Sequence, residues 1–136
     1  MGRILYVTMV LLRSYFRVCV IKSRKEDDTV QSNPPTKKIL IIDDERPVAL
    51  ALELKLKHVG FDARSAKNGG EGLALLEKED FALVLLDLMM PIIDGFKVLE
   101  ILGQRGDKTP VMVLSNLGQM EDEIRARKLG AVGFFV

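Results

Sequence analysis

The chain has 136 residues, 48% of them hydrophobic and 29% charged, enough to bury one ordinary core and too few for a second of similar size. A single cysteine, Cys19, excludes an internal disulfide scaffold, and a single histidine, His58, excludes a histidine-rich metal centre. The formal net charge of +1 hides an asymmetry: residues 1–38 carry eight Lys/Arg against three Asp/Glu, and residues 39–136 carry twelve against sixteen.

Residues 1–22, MGRILYVTMVLLRSYFRVCVIK, are apolar and basic, and Arg13 and Arg17 interrupt them. The longest uncharged run, Ile4 to Leu12, is nine residues, short of the ~20 that a bilayer span needs. No small-residue cleavage site follows to make a signal peptide. Three readings stay open for this strip: an amphipathic helix on a surface, a strip docked on the folded domain, or an extension without a role. Residues 23–37 are polar, contain Pro34-Pro35 and read as a linker.

A regular pattern runs from residue 38 to residue 136. KILIID (38–43), ALVLLD (82–87) and PVMVLS (110–115) are aliphatic runs without polar alternation, as in parallel strands covered on both faces. FDARSA (61–66) and VGFFV (132–136) are weaker strand candidates. In PVALALELKLKHVG, Pro47 suits a first helical turn and Gly60 the end. Val48, Leu52, Leu56 and Val59 fall on one helical stripe, with Glu53 and Lys57 paired on another face. Helices are also expected over 71–79, over 96–105 and in EDEIRARKLG, whose acidic start and basic end match the helix dipole, with Gly130 as cap. Strand and helix therefore alternate, which predicts an α/β fold with a doubly wound parallel sheet and right-handed crossovers.

In such a sheet, ligands bind at the carboxyl ends of the strands. There the strongest strands present Asp43 and Asp44, Asp87, and Ser115. Three carboxylates brought together repel one another and raise a pKa unless a cation sits among them. Oxygen ligands open to water and phosphate suit Mg²⁺. Such an ion makes an aspartate useful as a phosphoryl acceptor, and a nearby hydroxyl could bond a phosphoryl oxygen. Plainer readings stand beside these. Asp43-Asp44-Glu45 also suits helix capping, Asp94-Gly95 reads mainly as a turn, His58 as an ordinary last-turn residue, and Met89 and Met90 as packing.

Through ILIIDDE, LVLLDLMMPIIDG, TPVMVLSN and LGAVGFFV, residues 37–136 resemble the receiver domain of two-component response regulators. The resemblance implies a flavodoxin-like five-stranded sheet of order 2-1-3-4-5. It implies a phosphorelay role, in which Asp87 takes a phosphoryl group from a sensor histidine kinase or a phosphotransfer protein. Mg²⁺ would be held by Asp43, Asp44, Asp87 and the main-chain carbonyl of Met89. Ser115 would be the switch hydroxyl and Phe134 the aromatic switch. It further implies a non-enzymatic, cytoplasmic protein, with self-pairing as an option. The basic residues at the N-terminus lack a recognisable recognition helix, so no nucleic-acid partner is expected. Membrane contact by the N-terminal strip is disfavoured.

This sequence departs from the family pattern in three places. The lysine that follows the family's last strand would come next after Val136, the final helix has no residues to form it, and Asn116 stands where a small residue is usual. Truncation is therefore expected, and residues 4–21 could fold back over the sheet face that the last helix would cover. Their linker reaches ~22 Å as a flexible coil, and deleting residues 1–30 should then lower the thermal midpoint. Three rivals remain. An aspartate-nucleophile phosphatase would need an Asp where Met89 stands, and a nucleotide-binding module would need a glycine-rich loop in place of DDER. The third is a receiver-like interaction module that signals without phosphate.

Overall fold

The computed structural model of the protein describes residues 36–116 and 118–136. The N-terminal strip, its proposed docking over the sheet, and nearly all of the linker lie outside the described residues. Elements follow in the order β1 (Lys38–Ile42), α1 (Arg46–His58), β2 (Asp62–Ala66), α2 (Gly69–Lys78), β3 (Leu83–Asp87), α3 (Gly95–Arg105), β4 (Val111–Leu114), α4 (Met120–Lys128) and β5 (Gly133–Phe135). The strands form one sheet of order β2-β1-β3-β4-β5, and every neighbouring pair is parallel.

The three inner strands, β1, β3 and β4, form where the sequence is aliphatic on both faces of the pleat. Leu40, Ile42, Val84, Leu86, Val111, Val113 and Phe134 share a buried cluster with Leu73 of α2, Val98, Leu99 and Leu102 of α3, and Ala126 of α4. Ile39, Ile41, Leu83, Leu85 and Met112 alternate with them and are also buried. Fully burying each such side chain contributes roughly 1.5–3 kcal/mol. Helix α1 packs on β1 and β2.

The first helix buries Ala49, Leu52 and Leu56. The expected stripe through Val48 and Val59 is therefore corrected: Val48 is half-buried, and Val59 is 39% exposed because it caps the helix rather than lying in it. The second helix starts at Gly69, two residues before the expected Glu71. Asn68 caps it by accepting from the Glu71 amide at 2.8 Å, while Glu71 accepts from the Lys67 amide at 2.9 Å, a reciprocal arrangement like a capping box. Asp94-Gly95 is also corrected: it is the start of α3 rather than mainly a turn, with Asp94 accepting from the Lys97 amide at 2.8 Å. The fourth helix has Glu121, Asp122 and Glu123 in its first turn and Arg125, Arg127 and Lys128 in its last, the charge order its dipole favours. Among the described residues, no helix is long and apolar enough to cross a membrane.

Candidate functional site: the acidic rim of the sheet

Strand register sets the site. Ile42 pairs with Leu86, so the next residues along the two strands, Asp43 and Asp87, fall at one level. The Asp43 amide donates to the Ala66 carbonyl at 3.1 Å and holds the end of β1 against β2. Asp44 follows on the turn into α1. Oxygen atoms of Asp43, Asp44 and Asp87 all lie within 4.8 Å of one another. Asp44 is exposed, and the other two are half-buried.

The electrostatics follow from this crowding. The Asp87 carboxyl is pushed up to about 6, first by burial and then by the neighbouring charges of Asp43 and Asp44. The amides of Met89 and Leu88 pull it partly back, the former donating to the carboxylate at 3.2 Å. Asp43 is also raised, again mainly by burial, although the Glu45 amide donates to it at 2.8 Å. A divalent cation would relieve this repulsion, and an all-oxygen donor set of this kind fits a hard ion such as Mg²⁺.

The remaining expected residues are placed unequally. Leu114 pairs with Asp87, so Ser115 comes one residue further along at the same end of the sheet. Ser115 is 4% exposed, and its amide donates to the Phe135 carbonyl at 2.8 Å. Met89 is 62% exposed in the loop after β3, where its amide bonds Asp87. Phe134 pairs with Val113 and lies in the core, a level below the carboxylates.

Three features went unread in the sequence. First, a β-carbon on Gly95 would stand 2.8 Å from the Leu88 α-carbon, so only glycine lets α3 start against the end of β3. Second, Ile92 has φ +71° in the same loop. Third, a cavity of about 390 Å³ opens beside Asp43, lined by Arg46, Glu53, Ser65, Lys67 and Glu71 among others. Arg46, a cation at the start of a helix, was the available sign of the third feature.

Comparison with known proteins agrees with this geometry. The profile of the response regulator receiver domain matches residues 39–136. The chain belongs to the response regulator receiver family. A probable transcriptional regulator ycf27 of Porphyridium aerugineum is 40% identical over 99 residues, which are 73% of this chain and 41% of that protein. The receiver domain thus spans about two-fifths of the length of that curated relative. Among solved structures, the receiver domain of the Francisella response regulator 1452 superposes with a TM-score of 0.70 at 32% identity, covering 73% of this chain and 82% of that one. The response regulator TrrA of Thermotoga maritima, solved in complex with Mg(2+)-BeF, gives 0.67 at 26% identity, covering 74% and 86%. The expected flavodoxin-like fold and strand order are those of the receiver domain observed here.

Proposed function

We propose that this receiver is a phosphorylation switch in which Asp87 accepts a phosphoryl group from a phosphohistidine on a sensor histidine kinase or phosphotransfer protein. The observation that carries the reading is the meeting of three carboxylates within 4.8 Å at the rim of the sheet, with Asp87 pushed up to about 6. The residues suited to hold Mg²⁺ are Asp43, Asp44 and Asp87, with the Met89 carbonyl as a further ligand. A bound ion there would mask the repulsion between a carboxylate and an incoming phosphate.

This chain's own groups do the rest. An ionised Asp87 oxygen forms a bond to phosphorus as the P–N bond breaks, and the departing imidazole nitrogen keeps the electron pair. The Met89 and Leu88 amides orient the Asp87 carboxylate by hydrogen bonding. Ser115, at the same sheet end, would bond a phosphoryl oxygen, and Phe134 would relay the change from the core. Modification adds close to two negative charges. On this reading the domain turns over no external substrate, and Met89 occupies the position where a phosphatase of the aspartate-nucleophile type would carry its acid/base. The ycf27 relative is named a transcriptional regulator; for residues 36–136 themselves we propose protein partners and no nucleic-acid contact.

Incubation with acetyl phosphate and Mg²⁺, followed by intact mass, tests the proposal. One added phosphoryl group in the native chain and none in Asp87→Asn is expected. No gain at any Mg²⁺ concentration would favour an interaction module that signals without phosphate.

A further inference from the structure

We propose that Arg46 and Lys67 form a cationic rim that receives the phosphoryl-bearing anion on its way to Asp87. The inference rests on the reading of Asp87 as acceptor and adds how the donor is recruited. Both side chains line the cavity beside Asp43. Both residues are exposed, and neither side chain makes an ion pair or hydrogen bond among the described residues. The other carboxylates lining the cavity already have partners. Glu53 accepts from Lys57 at 2.6 Å and from Ser65 at 2.7 Å, and Glu71 accepts from the Lys67 main-chain amide at 2.9 Å. Leaving aside Asp43, which belongs to the acceptor site, Arg46 and Lys67 are the charged side chains lining the cavity that have no partner among the described residues.

Local structure does not account for Arg46. It is the first residue of α1, where the positive end of the helix dipole disfavours a cation, and no acidic residue stands in that turn to offset it. Its placement makes sense beside the acidic rim. Three carboxylates with one divalent ion still sum to a negative charge, and a phosphoryl dianion approaching them is repelled. Cations lining the cavity beside Asp43 lower that barrier, and because exposed charges are screened beyond about 8 Å at physiological salt, their effect depends on ionic strength.

The ligand chemistry is a phosphoryl group on a good leaving group, whether from an acyl phosphate or from a P–N donor. With acetyl phosphate, an Asp87 oxygen bonds phosphorus, the bond from phosphorus to the acyl oxygen breaks, and acetate leaves with the electron pair.

The experiment follows the initial rate of mass gain in the full chain with Mg²⁺, over a series of acetyl phosphate concentrations, at low and high salt, and again with phosphoramidate. Arg46→Gln/Lys67→Gln is compared with Lys108→Gln, a control cation just before the opposite end of β4. In the double variant the half-saturating concentration should rise roughly three- to tenfold with both donors, and the rate should lose most of its salt sensitivity. Lys108→Gln should match the native chain. Mg²⁺ affinity, followed separately, should be unchanged or tighter in the double variant, which separates loss of donor recruitment from loss of the metal. Unaltered rate and salt dependence in a folded double variant overturn the inference while Asp87 still gains its phosphoryl group. An effect with acetyl phosphate alone also overturns it, since the rim would then read the acyl group. A native chain that gains nothing overturns the acceptor reading and this inference with it.

Discussion

Ile92 sits 98% exposed at φ +71°, at the centre of a three-residue turn in which the Ile93 amide donates to the Pro91 carbonyl at 2.8 Å. A γ-turn of this hand is rare and strained, and a residue with a β-carbon costs roughly 1–2 kcal/mol in the left-handed region. The conformation is imposed by its neighbours: Ile93 packs on the start of α2, where a β-carbon on Gly69 would come within 2.9 Å of it, and the Gly95 amide bonds the Leu88 carbonyl at 3.1 Å. Ile92→Gly should therefore stabilise the fold by about 0.5–1 kcal/mol, after the entropy that glycine returns to the unfolded chain. A lower urea midpoint in that variant would refute the strain. Asp87 is costly in another way. The unfolded carboxyl titrates near 3.8 and the folded one at about 6. Between those values the folded chain binds the proton that the unfolded chain releases, so stability falls as pH rises through the window, and the penalty is complete above it. Asp87→Asn should raise stability at pH 7.5, by on the order of 1 kcal/mol for a half-buried, solvent-screened group. The gain should shrink to nothing by about pH 4, as urea titrations at the two pH values would show.

Among the elements, the sheet was legible because KILII, LVLLD and VMVL are continuous aliphatic runs that only a strand buried on both faces explains. Asp43, Asp44 and Asp87 were legible as a site for the same reason, since each closes or follows such a run. Helix starts were less so. Asn68 and Asp94 cap through side-chain bonds whose partners lie three residues on, and in the sequence both blended with turn chemistry. The α1 stripe was misjudged because Ala49, small and weakly hydrophobic, packs where a larger residue was expected. Close contacts between elements left no periodic trace. A β-carbon on Gly72 of α2 would stand 2.8 Å from Cγ1 of Ile42, whereas one on Gly103 of α3 would meet nothing within 4 Å. Gly72→Ala should thus cost about 1–3 kcal/mol by forcing α2 off β1, and Gly103→Ala should gain about 0.5–1 kcal/mol from helix propensity. Thermal midpoints moving in the same direction for both variants would contradict this packing.

For the whole molecule, Mg²⁺ should raise the unfolding midpoint at pH 7.5, with a gain of ~2.7 kcal/mol at a hundred times its dissociation constant. The effect should fade below about pH 6, where Asp87 takes up a proton. An equal Mg²⁺ effect at pH 4.5, or in Asp87→Asn, would place the ion elsewhere. The register that aligns Ile42 with Leu86 also has a kinetic side. Strands β1 and β3 are distant in sequence, and closing them against each other confines like charges that were far apart in the coil. The acidic rim should thus slow the zipping of the central ladder, and a counter-ion present during collapse should release it: refolding is expected to run faster in Mg²⁺ than in its absence, and equal stopped-flow rates would contradict this.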